Sequence, residues 1–440
     1  MSEHFRTERP STFHYRSAEH CSAFARGQGQ SRALLGAPFC RFRAAILCAA
    51  ALLLVSCASP EPKPKIATPP TLPPPDFAAV ASALDSAIEN RAFPGCSVAV
   101  GTSEGILWQQ GFGHFTYAKK NPVTVNTIYD LASLTKVTGT TALLMKLTGD
   151  GKLHENDPLA KHIPEFLTAA RDAKDRARRE KVTLEHVMTH SSGLVSWKPF
   201  YKTCDSYPKL LQAVLSTPLE ADPGERYKYS DLGFILLGEV VSRAGGAPAR
   251  QLERQLLVRQ LGMSDTLRNP QSALRMRIPP TERTPDATGY IHGEVHDENC
   301  RFAGGGTGHA GLFSTVGDLS KYAIELLRAR EGKGRVFKQD VVREFTRRQG
   351  VEGSNRGQGW QKPSGTNSAG AVLSKTSFGH TGFTGTSIWI DPQRDLFVIL
   401  LTNRVHPTRE DSKISPVRRA VADEAAKAVD GRTVKGNKSS

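Results

Sequence analysis

Ser133-Leu134-Thr135-Lys136 places a hydroxyl three residues ahead of an amine. On a helix, that spacing puts both side chains on one face, one turn apart. A serine hydroxyl is a poor nucleophile at its ordinary pKa, and a desolvated lysine of lowered pKa beside it can take its proton. Val137, Leu144 and Leu147 continue a helical period that Gly149 ends. Ser133 is therefore predicted at a helix N-terminus, where a free N–H and the helix dipole favour a developing oxyanion. The pattern recurs at Ser206-Tyr207-Pro208-Lys209, but the proline there makes Ser206 an N-cap. Two more groups bear chemistry. Tyr229-Ser230-Asp231 sits between Pro223-Gly224 and the apolar run 232–241, a loop-to-helix junction from which a phenol can point into a cleft. His380-Thr381-Gly382 is predicted to open a strand, with Gly379, Gly382 and Gly385 permitting close backbone approach to a ligand.

The elements that must position these groups are legible in outline. The chain has 440 residues, 39% hydrophobic and 23% charged. That is core enough for an enzyme, and it excludes collagen-like, coiled-coil and polytopic membrane classes. The net charge of +15 is spread along the chain. No long basic run interleaves with aromatics, which argues against a nucleic-acid partner, whereas attraction to anionic envelope polymers fits the surplus. Asp76 is a good N-cap for an amphipathic helix over 77–91, followed by β-prone runs at 96–101 and 106–111 that flank a hairpin turn. Strands at 387–390 and 396–402 are joined by a turn at 391–395, and a closing helix is predicted from Ser415, with Pro416 at its first position, to Val429. Strands at both ends and a helix-rich middle, 140–320, predict an α+β fold whose sheet is assembled from both termini around a helical insertion. The charge run 171–181 reads as a solvated loop or helix face.

The stretch 44–55 is apolar but shorter than the roughly 20 residues of a spanning helix, and Arg41 and Arg43 precede it, as in a signal h-region. Leu54-Val55-Ser56-Cys57 resembles the bacterial lipoprotein signal. The expectation is a signal region 1–56, lipidation at Cys57, a proline-rich tether 57–75, a catalytic domain 76–430 and a disordered tail 431–440. The protein would then reside in the bacterial cell envelope, periplasmic or extracytoplasmic, held to the membrane by its lipid. An uncleaved anchor or a plain secretory peptide is the alternative. Cys96, Cys204 and Cys300 form no C-x-x-C pair and are too few for a disulfide framework, so cysteine is not expected to carry the chemistry.

Some motifs are decoys. Gly101-Thr102-Ser103-Glu104-Gly105 matches a nucleophile elbow but falls in the hairpin turn, and Gly306-Thr307-Gly308-His309-Ala310-Gly311 matches a dinucleotide fingerprint without the strand that must precede it. A glycine-rich wall of the substrate cleft is the better reading of the second. His292-Gly293-Glu294-Val295-His296, with Asp297 and His309 nearby in sequence, leaves three readings open: hydrogen-bonded loop histidines, recognition at the cleft edge, or zinc. His296 and His309 are carried as substrate-edge candidates.

In this order, Ser133-x-x-Lys136, Tyr229-Ser230-Asp231 and His380-Thr381-Gly382 resemble the three motifs of the serine β-lactamase and penicillin-binding-protein superfamily, closest to its class C-like branch. Asp130-Leu131-Ala132, Thr189-His190-Ser191-Ser192-Gly193-Leu194 and Gly311-Leu312-Phe313-Ser314-Thr315 extend the resemblance over 76–430. It implies a β-lactamase/transpeptidase-like fold: an antiparallel sheet flanked by terminal helices, with a helix-rich inserted subdomain. It makes Ser133 the acylated nucleophile, Lys136 its proton partner and Tyr229 a base for acylation and an acid for the leaving group. Backbone N–H groups of Ser133 and Phe383 would form the oxyanion hole, with Asp231, His380, Thr381 and Gly382 around the substrate. No cofactor, metal or nucleic acid is implied, and a monomer is expected. Two departures stand out. Asp231 replaces the common Asn and should raise the Lys136 pKa, shifting the base role to Tyr229. His380 replaces the more usual Lys, making that cation conditional on pH near neutrality. The implied activity is an acyl-enzyme hydrolysis of amide or ester bonds in peptidoglycan fragments, of the D-alanyl-D-alanine carboxypeptidase or muropeptide amidase kind. Esterase or weak β-lactamase activity, and a non-catalytic peptidoglycan-binding or sensor domain, are the rivals.

Overall fold

The computed structural model describes residues 74–410 and 412–436. The expected signal region, Cys57 and all but the end of the proline-rich tether lie outside the described residues. Among those described, no helix is long and apolar enough to cross a membrane.

Strands from both ends of the chain form one antiparallel sheet. The first two, β1 (Gly95–Thr102) and β2 (Gly105–Gly113), make the expected hairpin. Three short strands, β3 (Tyr129–Asp130), β4 (Leu267–Arg268) and β5 (Leu312–Ser314), form a separate small sheet in the order β3-β5-β4. The last three, β6 (Phe378–Thr381), β7 (Ser387–Asp391) and β8 (Leu396–Thr402), complete the main sheet in the order β2-β1-β8-β7-β6. The central strand β8, Leu396-Phe397-Val398-Ile399-Leu400-Leu401-Thr402, is apolar at almost every position because both of its faces are covered. Leu396, Val398 and Leu400, with Val98 and Val100 of β1, pack on the terminal helices α1 (Ala78–Glu89) and α5 (Ile414–Gly436). Phe397, Ile399 and Leu401 point the other way, into a core shared with the helical middle. That middle contributes α2 (Thr141–Gly149), α3 (Asp231–Gly245) and α4 (Val316–Arg330). The α+β expectation therefore holds, and the period-two alternation along β1 and β8 decides which helices each face receives.

Three expectations need correction. His380-Thr381-Gly382 closes strand β6 rather than opening one, which leaves Gly382 and Phe383 in the turn toward β7. The closing helix runs past Val429 to Gly436, into the expected tail. The charge run 171–181 is not wholly solvated: Arg179 is fully buried, 2.9 Å from Asp175 and donating to the carbonyls of Phe166, Leu215 and Thr217. A buried guanidinium persists there because its donors are satisfied by a fixed carboxylate and three carbonyls.

Candidate active site

Ser133 is held by the junction of the two sheets. Asp130 ends β3; its carboxylate accepts from the backbone N–H of Ala132 (2.8 Å) and of His296 (2.7 Å). The hydroxyls of Thr384 and Thr386, between β6 and β7, donate to the carbonyls of Asp130 and Leu131 at 2.7 and 2.9 Å. From the other side the Leu131 N–H donates to Leu312 of β5. So clamped, Ala132 takes φ of +47°, a left-handed backbone that costs a residue with a Cβ about 1–3 kcal/mol. Helix begins directly after Ser133, and its first full turn, Lys136–Thr140, is a π-turn before α2. The spacing predicts a plain α-helix here; the wider turn is a local departure of the kind common at functional sites.

Lys136 is fully buried, yet its ammonium has three partners. It donates to Ser133 Oγ (3.0 Å) and the His309 carbonyl (3.0 Å), and it lies 2.7 Å from Asp231 Oδ1. Burial pulls its pKa down, but the Asp231 carboxylate and then Tyr229 outweigh burial, and the net shift is upward. Lys136 is thus an ammonium at neutral pH, as the Asp231 departure led one to expect. Asp231 opens α3, whose N-cap Ser230 accepts from the Gly233 N–H. Tyr229 just before it carries a ring centroid 5.2 Å from Lys136 Nζ and 5.3 Å from the Arg356 guanidinium carbon. His190 packs against the same ring at 4.4 Å and accepts from the Ser230 N–H at Nδ1, so it braces the tyrosine. Burial, then Arg356 and Lys136, hold its imidazole neutral.

Ser133, Tyr229 and Phe383 stand where two cavities meet, one of about 350 Å³ and one of about 310 Å³. The larger is walled by Trp197, Asp231, His296, Asp297, Glu298 and Arg409. The smaller is walled by Thr381 and Gly382 and by Arg356, Arg404 and Arg418. Neither the Ser133 N–H nor the Phe383 N–H has a hydrogen-bond partner among the described residues. Arg404 Nε fixes the Phe383 peptide from behind, donating to its carbonyl at 2.8 Å. Two free N–H groups beside a hydroxyl are what an oxyanion requires.

Sequence reasoning placed most of these residues and misjudged two. His380 is buried and donates Nδ1–H to the Thr381 carbonyl (2.8 Å). Burial, then Arg356 and Lys136, push its pKa well below the ordinary histidine range, so it is uncharged at neutral pH rather than a conditional cation. His309 is 1% exposed, its ring held by Thr307 and Asp297, and it reaches the site only through the carbonyl that binds Lys136. Of its segment only Ala310 lines a cavity beside Ser133; Gly306, Thr307 and Gly308 line a separate one, with Gly308 packed against Gly238 of α3. His296 does line the larger cavity, with Nε2 3.0 Å from Glu282, while His292 turns away to the Ile278 carbonyl. Among the described residues no cluster fits a metal ion, and Cys96, Cys204 and Cys300 are free and buried. The three arginines, Trp197 and Glu298 carry no signal in sequence, since tertiary folding alone brings them to Ser133.

A serine hydroxyl contacting a buried lysine at the junction of an antiparallel sheet and a helical domain is the arrangement of a serine hydrolase of the β-lactamase and penicillin-binding-protein type. A model of the Beta-lactamase family matches residues 80–423, and the chain belongs to that family. It is 31% identical over 372 residues to a protein of Salmonella agona named "Putative D-alanyl-D-alanine carboxypeptidase", covering 76% of this chain and 84% of that one. Among solved structures, a penicillin-binding protein homologue from Caulobacter crescentus superposes with a TM-score of 0.65 at 17% identity, covering 80% of this chain and 97% of the other. EstCE1, a hydrolase with promiscuous acyltransferase activity, gives 0.64 at 19% identity, covering 79% and 97%. These two share the fold.

Proposed function

We propose that the protein is a D-alanyl-D-alanine carboxypeptidase-like hydrolase that acylates Ser133 and releases a terminal residue bearing a free carboxylate. One observation carries this reading: Arg356, Arg404 and Arg418 are each under 9% exposed, all line the smaller cavity beside Ser133, and none has a carboxylate partner among the described residues. Buried guanidinium groups without counter-charges favour an anionic ligand. Burial, then Arg404, presses the Arg418 pKa down to about 9, which still leaves it charged at neutral pH. These arginines take over the attraction that the uncharged His380 cannot supply.

In the proposed cycle the Tyr229 oxygen, on a ring placed between Lys136 and Arg356, is the general base. It removes the Ser133 proton as Oγ attacks the carbonyl carbon, and the N–H groups of Ser133 and Phe383 hold the oxyanion. Tyr229 returns the proton to the leaving amine, the C–N bond breaks, and water later hydrolyses the Ser133 ester. Lys136 stays an ammonium throughout, donating to Oγ and stabilising charge rather than accepting the proton. The site is envelope-facing, with the chain anchored through lipid on Cys57; Cys57→Ala should move the protein from the membrane to the soluble fraction.

Purified muropeptides and mass analysis of the products test the substrate. Release of D-alanine supports the reading, release of a whole stem peptide replaces it with an amidase, and turnover of simple esters alone replaces it with an esterase. Ser133→Ala should lose all labelling by a fluorophosphonate probe; labelling that persists in this variant refutes the nucleophile, and an unlabelled wild type favours a binding domain.

A further inference from the structure

The two cavities that meet at Ser133 differ in charge. The smaller holds three arginines and no acid. Around the larger stand Asp231, Asp297 and Glu298, with Glu282 behind them, against Lys136 and Arg409. The internal pairings leave open valences. Lys136 is taken by Asp231, and the single Arg409 is divided between Glu282 (2.6 Å) and Glu298 (2.6 Å). Asp297 uses Oδ1 for the Cys300 N–H and for His309 Nε2, and Glu298 uses Oε1 for Arg409. Asp297 Oδ2 and Glu298 Oε2 have no protein partner among the described residues.

One open aromatic face completes the wall. Trp197, 42% exposed, lines this cavity, whereas the Phe383 ring beside it is already taken by Arg404 at 4.4 Å, by Arg409 and by the stacked His296. The carboxylates and the tryptophan are held in register by the buried Asn299. Its Oδ1 accepts from the Tyr201 N–H (2.9 Å) and its Nδ2 donates to the Lys198 carbonyl (2.8 Å), stitching the 197–202 loop to the segment that carries Asp297 and Glu298. Open carboxylate oxygens beside the exposed Trp197 ring suit one ligand chemistry, an organic cation.

We propose that the larger cavity selects acyl groups ending in a primary ammonium, so that the preferred substrate carries a cation on its acyl arm and an anion on its leaving group. This rests on the hydrolase reading above, which assigns the arginine side to the leaving fragment and therefore the opposite cavity to the acyl arm. Glu298 and Trp197 are its specificity determinants.

The test uses p-nitrophenyl esters, whose leaving group is the same and bears no carboxylate, with linear acyl chains ending in an ammonium, an acetamide or a carboxylate. The full-length enzyme should favour the ammonium arm over the acetamide arm by about tenfold in kcat/KM, with the carboxylate arm slowest. Glu298→Gln and Trp197→Ala should each bring the ammonium-to-acetamide ratio toward one. A ratio at or below one in the wild-type enzyme, or a ratio that survives both substitutions in variants of unchanged melting temperature, overturns the proposal. Brisk ester turnover with a flat ratio overturns only this inference and leaves the hydrolase standing. Absence of turnover on all three esters counts against both, and muropeptides that yield no D-alanine while the ester ratio holds count only against the carboxypeptidase reading.

Discussion

Asp231→Asn places at this position the residue common in the superfamily and removes the carboxylate paired with a fully buried ammonium. In the wild-type protein Lys136 lies 2.7 Å from Asp231 and has two neutral acceptors besides, Ser133 Oγ and the His309 carbonyl. Breaking a buried pair from one side costs about 3–5 kcal/mol when the other charge remains. A lysine has an escape, since it can give up its proton; the cost then becomes that of deprotonation, ~1.36 kcal/mol for each pH unit below its ordinary value. The variant should therefore melt roughly 10 °C below the wild type near neutral pH, taking about 2–4 °C per kcal/mol for a domain this large.

The sign of the pH dependence is the sharper reading. Wild-type Lys136 has a folded pKa above its unfolded one, so its contribution is complete below the ordinary lysine value and is lost only in strong alkali. It adds no slope to stability across the neutral range. In Asp231→Asn the folded pKa falls below the unfolded one, the unfolded chain binds the extra proton, and stability should rise with pH from about 7 to 9 relative to wild type. The kcat/KM profile for an activated ester should gain an ionisation in the same window, as Lys136 becomes able to accept a proton. Differential scanning calorimetry at several pH values, with ester kinetics alongside, measures both. A variant with wild-type melting temperature and no relative slope would refute the buried ion pair as the source of lysine protonation.

Other consequences are independent. Arg356→Gln should raise KM for an acyl-D-alanyl-D-alanine peptide about 30-fold or more, and less for its methyl ester, because truncating one side of a buried charge contact costs about 2–5 kcal/mol; equal losses on acid and ester refute carboxylate recognition. Gly382→Ala should cost at least tenfold in turnover and about 1–3 kcal/mol of stability, because a Cβ there would meet the Leu131 carbonyl at 2.3 Å and Thr386 Oγ1 at 2.1 Å, forcing the oxyanion turn away from Ser133. His380 is neutral when folded but protonates when unfolded below the ordinary histidine pKa, so it destabilises the fold as pH drops. His380→Gln should therefore reduce the loss of melting temperature between about pH 6.5 and 5, while the neutral limb of the kcat/KM profile keeps its position; a lost ionisation there would show that the histidine is charged after all.

Fold class could be read from sequence because both signals are local. The β-prone composition of 96–101 and 106–111, and the unbroken apolar run of β8, are local features of the chain. The contact between Ser133 and Lys136 was legible for the same reason, since three residues of separation put them on one turn whatever surrounds them. The π-turn at Lys136–Thr140 was not, because it answers to the clamp on Asp130 and Leu131 from Thr384, Thr386 and Leu312, more than 170 residues away along the chain. His380 fails in the same way: its residue type suggests a titrating cation, and only burial beside Arg356 and Lys136 makes it neutral.

Charge selectivity has a different origin from the chemistry. The groups proposed for acyl transfer sit in three short motifs. The groups proposed to read the substrate come from scattered positions: Trp197 from a loop, Glu298 from a short helix, Arg356 from the approach to β6, Arg404 from just past β8 and Arg418 from α5. Trp197 and Glu298 make no hydrogen bond or ion pair to Ser133, Lys136 or Tyr229, whereas Arg356 also touches the Tyr229 ring and Arg404 the Phe383 peptide. A family built in this way can hold its mechanism fixed while substrates diverge, and a relative's substrate transfers only as far as its cavity walls carry the same charges. For this chain the decisive comparison is the ester ratio in Glu298→Gln set against the acid-to-ester ratio in Arg356→Gln. If the two cavities read opposite ends of one dipolar substrate, each substitution should flatten its own ratio far more than the other's, because Glu298 and Arg356 make no hydrogen bond or ion pair to each other.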